Sequence, residues 1–232
     1  VTVETDYYAA DVHLSPSWAD RSRIGTDTVV GSVSAQFAGV APGVQVSPRV
    51  KPEITQLVAS GDLGATLVHE HVFVLGEEYR VNYSEWDEDA RVADASRQLQ
   101  ELKELGIDTI LDPTVLGLGR YIPRIQKVAE GTDLNIVVAT GVYTYDDVPF
   151  QFHYTGPETL FGGPEPMTEL FLKDLREGIA DTGVRAAFLK CAIEEKGLTP
   201  GVERVMRAVG AASAETSAPV TVHTHAGSES GL

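Results

Sequence analysis

The densest chemistry in the sequence is His69-Glu70-His71, which follows the apolar run Ala65-Thr-Leu-Val68. Residues two apart on a strand point to the same face. On that reading both imidazoles share one face and can grip one metal ion, while Glu70 points away. The spacing is not that of the zincin helix, which needs histidines four apart. Two of the chain's six histidines fall here, at the end of an apolar strand, and that favours metal binding over chance.

Lys190 is the second candidate, within Arg185-Ala-Ala-Phe-Leu-Lys-Cys-Ala-Ile193. Alternation puts Phe188 and Lys190 on one face, with Leu189 and Cys191 on the other. Burying an ammonium among apolar residues is costly without a partner, and burial lowers its pKa. The neutral amine can then add carbon dioxide to form a carbamate, an anion able to bridge two metal ions. A lysine reaching solvent at a strand end needs no such chemistry, and the residue alone does not decide. His223 and His225 again repeat at a period of two, and one or both could be ligands. His13 and His153 sit in loop-like sequence and read as solvated.

Several other features carry less. Gly227-Ser-Glu-Ser-Gly231 has Glu229 where a nucleophile elbow requires serine. Cys191 is the single cysteine, which excludes an internal disulfide, and its apolar neighbours mark an inert buried thiol. Gly117-Leu-Gly119 lacks the third glycine of a dinucleotide loop. The acidic runs Glu85-Trp-Asp-Glu-Asp89 and Glu194-Glu195 read as solvated faces or helix starts.

These residues need elements to position them. From about residue 62 the pattern alternates strand and helix. Strands are expected at 65–68, 107–111, 135–139, 184–189 and 219–222. Helices are expected at 87–105, 121–130, 168–180 and 202–215, the first with the stripe Val92, Ala95, Leu99, Leu102 and Leu105, closed by Gly106. Continuous apolar strands suit a parallel sheet covered on both faces. His69, His71, Lys190 and His223 would all lie at C-terminal strand ends, where (β/α)8 barrels keep their chemistry. The expected fold is therefore α/β, a TIM barrel with about five of eight β/α units. Residues 1–60, rich in Ser, Gly, Ala, Val and Pro, are expected to form an irregular N-terminal extension, and 61–232 the partial barrel.

The 232 residues carry 18 Lys plus Arg against 34 Asp plus Glu, a net charge of −16. A nucleic-acid partner or an anionic membrane surface is disfavoured. Hydrophobic residues at 43% fit a folded domain. No apolar run approaches the ~18 residues of a membrane span. With no signal peptide visible, a cytoplasmic location is expected.

Gly64-Ala-Thr-Leu-Val-His-Glu-His71, Ala139-Thr-Gly-Val-Tyr-Thr-Tyr145, Phe188-Leu-Lys-Cys-Ala192 and Pro219-Val-Thr-Val-His-Thr224 together resemble the phosphotriesterase family of the amidohydrolase superfamily, in particular its lactonase branch. The resemblance runs from about residue 60 onward. It implies a barrel holding two divalent ions, zinc or else cobalt, iron or manganese. His69 and His71 would hold the buried ion and His223, rather than His225, the exposed one. Carboxylated Lys190 and a hydroxide would bridge the pair. Tyr143 matches a tyrosine of the lactonase branch near that hydroxide, where triesterases carry Trp. The implied substrates are lactones, including acyl-homoserine lactones, with organophosphate triesters as the alternative, and the full-length partner is a second copy in a homodimer. Family members also have a His on strand six and an Asp on strand eight, which the sequence through Leu232 does not supply. The expectation is an N-terminal portion of a hydrolase, itself inactive; the rival is a non-catalytic truncated barrel.

Overall fold

Each apolar run becomes a parallel strand in the computed structural model, which describes residues 63–83, 85–228 and 230–231. The expected extension at residues 1–60, with His13, lies outside the described residues. Five strands pair in chain order: β1 (Thr66–Val68), β2 (Thr109–Asp112), β3 (Asn135–Gly141), β4 (Phe188–Ile193) and β5 (Val220–Thr224). Every pairing is parallel. Strand order in a doubly wound sheet reverses at a switch point; here it never does, and the sheet is half of a barrel wall.

Five helices lie among the described residues: α1 (Glu77–Tyr83), α2 (Glu88–Glu104), α3 (Ile122–Glu130), α4 (Pro166–Arg176) and α5 (Pro200–Thr216). Asp87 caps α2 by accepting from the Ala90 N–H at 3.1 Å, and Glu88 and Asp89 suit its positive end. Of the predicted stripe, Ala95, Leu99 and Leu102 are buried. Leu105 is exposed, because the chain leaves the helix there and turns at Gly106 with φ +96°. Thr199 caps α5 through the Val202 N–H at 3.2 Å, and Pro200 opens it.

Strands β2, β3 and β4 bury both faces, whereas β5 stays partly exposed. Leu67, Ile110, Ile136 and Val138 meet the helix side chains Leu99, Leu102 and Val128. Leu189 and Cys191 meet Met167, Phe171, Val205 and Val209. Leu111, Val137, Ala139 and Phe188 form the opposite, inner face. The alternation read along β4 is therefore correct.

Buried charges on the helix side are paired. Arg120 donates to Asp174 at 2.8 Å, and the Thr140 hydroxyl donates to the same carboxylate at 2.6 Å. The fully buried Arg124 bonds Glu77 at 2.6 Å and Glu88 at 3.3 Å. Its guanidinium also lies 4.7 Å from the centre of the Trp86 ring. The helix α1, which supplies Glu77, has no counterpart in the sequence reading, because it buries none of its residues and so has no apolar stripe.

Most boundaries differ from expectation by no more than two residues; the larger shifts are at β4, which spans Phe188–Ile193 rather than 184–189, and at the end of α4. β4 begins at Phe188, not Val184, because the Ala186 N–H bonds the Asp174 carbonyl at 3.0 Å instead of a strand. α4 ends at Arg176, not Ala180; Gly178 follows with φ +134°, outside helical space. No helix among the described residues is long and apolar enough to cross a membrane.

Candidate metal centre

One rim of the half-barrel gathers His69, His71, Lys190, His223 and Tyr143. The rings of His69 and His71 meet edge to face with centroids 5.4 Å apart. The reason differs from the one expected. β1 stops at Val68, and His69 has φ +79°, so the two-residue strand period does not apply. The N–H groups of His69 and Glu70 both donate to the Leu111 carbonyl, at 3.2 and 3.0 Å. That bend folds the segment over the end of β2 and brings the rings together. His71 lies three residues beyond the strand. Its Nδ1 is 2.8 Å from the Thr114 hydroxyl, which donates at 2.5 Å to the buried Asp112.

Lys190 is expected at a C-terminal strand end; β4 instead continues for three residues past it and carries it just inside the rim. It lies within β4, in register with Gly141 on one side and Thr221 on the other, and is fully buried. Its Nζ is 3.0 Å from His69 Nε2, and no carboxylate pairs with it among the described residues. Gly141 makes the packing possible: with φ +146°, a Cβ there would stand 1.8 Å from the Lys190 carbonyl oxygen.

His223 lies on β5, its ring 6.3 Å from His69 and 5.6 Å from Tyr143. His225 is past the strand and turned into its own loop, where Nδ1 lies 3.0 Å from the Ser228 hydroxyl. His153 bonds the Val148 carbonyl at 2.8 Å, away from the rim. Tyr143 follows β3 and donates its hydroxyl to Glu194. Glu194, expected on a solvated face, is largely buried and faces the site, with Oε1 3.4 Å from His223 Nε2. It follows directly on β4, and the curl of the sheet turns it inward; Glu195 is exposed as expected. Asp112 and Thr114 carry no role in the sequence reading. Each lies just at or after a strand end, which is the one signal that could have marked them.

The electrostatics suit metal ligation. His69 is lowered to about 4 by partial burial first, then by Lys190 and His223. His71 is lowered to about 3, again by burial first, then by its cationic neighbours. His223 is lowered by burial, with Glu194 opposing. Burial alone brings Lys190 down to about 8. Burial and nearby Asp112 raise Glu70 to about 8, and burial raises Asp112 to about 6. Cys191 faces the helices, 1% exposed, and burial pushes its thiol up to about 11.

Among the described residues, no group of three or more His, Cys, Asp or Glu side chains closes into a ready metal cage. The residues present fit a divalent ion in donor type: neutral imidazoles at pH 7 and a buried amine without a counter-ion. The 5.4 Å ring spacing also suits two imidazoles sharing one ion at about 2.1 Å each.

The fold is a parallel α/β half-barrel, and one end of it gathers three histidines and a buried lysine. The model of the phosphotriesterase family matches residues 50–232, and the chain belongs to that family. The phosphotriesterase homology protein of Mycobacterium tuberculosis is 60% identical over 177 residues, covering 75% of this chain and 54% of that protein. The aryldialkylphosphatase of Saccharolobus solfataricus is 38% identical over 176 residues, with the same coverage of 75% and 54%. The solved phosphotriesterase from M. tuberculosis superposes with a TM-score of 0.70 at 62% identity, over 72% of this chain and 52% of that one. The chain thus spans about half the length of the relatives it matches.

Proposed function

We propose that the protein, at the length of its relatives, is a binuclear metal-dependent hydrolase that opens lactones, including acyl-homoserine lactones, with phosphotriester hydrolysis as a second activity. The observation that carries the reading is Lys190, fully buried in β4 with His69 Nε2 at 3.0 Å and no carboxylate partner among the described residues. A buried amine lowered to about 8 has a neutral fraction at pH 7. Its nitrogen forms a bond to carbon dioxide and releases a proton to solvent, which leaves a carbamate anion.

His69 and His71 would hold one ion, His223 the other, and carboxylated Lys190 would bridge them. The ions, zinc or another divalent transition metal, supply polarisation of the substrate's carbonyl or phosphoryl oxygen and acidify a water. The chain's own part is to hold the imidazoles below their ordinary pKa of 6.5, so that their lone pairs are free at pH 7. Glu194 fixes the Tyr143 hydroxyl, and the ring stands beside His223 as one wall of the substrate space. Tyr143 in place of Trp favours lactones; the relative named aryldialkylphosphatase supports the triester activity. A homodimer is the proposed assembly.

For the 232 residues alone a second reading is favoured, metal binding without turnover. β1 and β5 are unpaired edges of the sheet among the described residues, and such edges leave the rim open.

The test uses protein extended to the relatives' length. Turnover of an acyl-homoserine lactone should exceed that of a diethyl aryl phosphate, and both should vanish on chelation and return with zinc or cobalt. Lys190→Ala should be inactive, with part of the activity restored by a short carboxylic acid and metal. A Lys190→Ala enzyme of near-normal rate would refute the bridging role.

A further inference from the structure

We propose that Thr114 and Asp112 are positioning residues that hold His71 as the Nδ1–H tautomer and so present its Nε2 as the metal donor. The inference rests on the metal-site reading above and adds the device that orients one ligand.

Proton counting carries the argument. A threonine hydroxyl has one proton to donate. Thr114 Oγ1 has three possible acceptors within reach, Asp112 Oδ1 at 2.5 Å, His71 Nδ1 at 2.8 Å and the Phe73 carbonyl at 3.4 Å. The shortest contact, to a carboxylate, takes the proton, since charge-assisted bonds are shorter and stronger. The same Asp112 oxygen accepts the Thr114 N–H at 2.9 Å, which locks the hydroxyl in place. Thr114 Oγ1 therefore has only lone pairs left for His71 Nδ1 at 2.8 Å. His71 must donate from Nδ1, and its acceptor nitrogen is Nε2.

The chain of bonds runs inward from the rim. Asp112 is 2% exposed and Thr114 6%, so water does not compete for either partner. Asp112 also accepts from the Val72 N–H, which ties the backbone next to His71 to the end of β2. Ring and backbone of the ligand segment are thus fixed by one carboxylate. A neutral imidazole in water exchanges tautomers, and a donor set by a fixed partner does not lose that freedom on binding metal.

The test is made on protein extended to the relatives' length, free of metal and with 15N-labelled histidine. In the unsubstituted chain the His71 ring should show the Nδ1–H pattern by nitrogen chemical shift. Thr114→Val removes the hydroxyl at nearly constant volume, and His71 should become a mixture of tautomers. Thr114→Ser should restore the single tautomer. Zinc affinity, read by competition with a chromophoric chelator, should weaken 10–100-fold in Thr114→Val and return in Thr114→Ser.

An Nε2–H pattern in the unsubstituted chain overturns the proposal, even if Thr114→Val fails to fold. Unchanged tautomer and zinc affinity in a folded Thr114→Val overturn it as well. Tautomer control without any zinc uptake would leave the orientation of His71 standing and sink the metal-site reading instead, so the two fail separately.

Discussion

Charges buried on the helix side of the sheet are compensated, whereas those at the strand-end rim are not. Behind β3, Arg120 and Asp174 meet at 2.8 Å with exposures of 7% and 2%, and the Thr140 hydroxyl completes the set. At the rim, Lys190 is more deeply buried than either and has an imidazole, not a carboxylate, beside it. Glu70 has no cation paired with it among the described residues, and its nearest charge is another acid, Asp112. Burial consequently pushes the rim groups toward neutrality, while each helix-side group has its counter-charge at hydrogen-bond distance. A fold under selection for stability alone would pair or remove such groups; unpaired ones gathered at one end of a sheet mark a functional site.

The comparison predicts opposite signs for two substitutions. Asp174→Ala leaves the Arg120 guanidinium buried without its counter-ion and frees the Thr140 hydroxyl. It should cost about 3–5 kcal/mol of folding stability, read by urea unfolding of the metal-free chain. A loss under about 1 kcal/mol would mean that the helix-side pair is as loosely compensated as the rim.

Lys190→Met should do the reverse in metal-free protein. The side chain keeps similar volume while the desolvated amine is gone, so stability at pH 7 should rise by roughly 1–3 kcal/mol. The sign follows from linkage. The folded pKa of about 8 lies below the ordinary 10.5. Between those values the unfolded chain binds more protons, so the unsubstituted protein gains stability as pH rises through that window. The advantage of Lys190→Met should shrink from pH 8 to pH 10.5. A destabilised variant at pH 7, or an advantage independent of pH, would show that Lys190 is compensated after all.

The same contrast explains what the sequence could disclose. The parallel strands were legible because Ile110, Val137 and Leu189 lie in continuous apolar runs, which only a sheet covered on both faces accepts. Helix α1 was not, because a helix held by Glu77 on Arg124 leaves no periodic apolar trace. At the rim, His69 and His71 were legible as residue types in an unusual place, whereas the role of Lys190 and the choice of His223 over His225 came from the family resemblance. The bend at His69 was not, since nothing in a histidine announces φ +79°. Glu194 and Thr114 acquire their roles only when the end of one strand is brought beside another. Their partners are Tyr143, 51 residues away, and His71, 43 residues away. Local patterning carries no information at that separation.

The smallest expected effect sharpens the comparison on the β4–β5 flank, where Glu194 is the nearest approach to a counter-charge. Its Oε1 faces His223 Nε2 at 3.4 Å and opposes the lowering of the His223 pKa by burial. Glu194→Gln keeps an oxygen for the Tyr143 hydroxyl but removes the charge, so His223 should fall further below its ordinary 6.5. A group with a depressed cationic pKa contributes its full stability above the unfolded value, and that contribution is lost on acidification. The Gln variant should therefore match the unsubstituted chain at pH 7, within about 1 kcal/mol, and lose more stability than it between pH 6.5 and pH 5. Proton NMR titration of the His223 ring, with urea midpoints at both pH values, reads the two effects independently. If the His223 pKa rises or stays put in Glu194→Gln, the carboxylate is screened by solvent, and the whole rim, this flank included, is uncompensated.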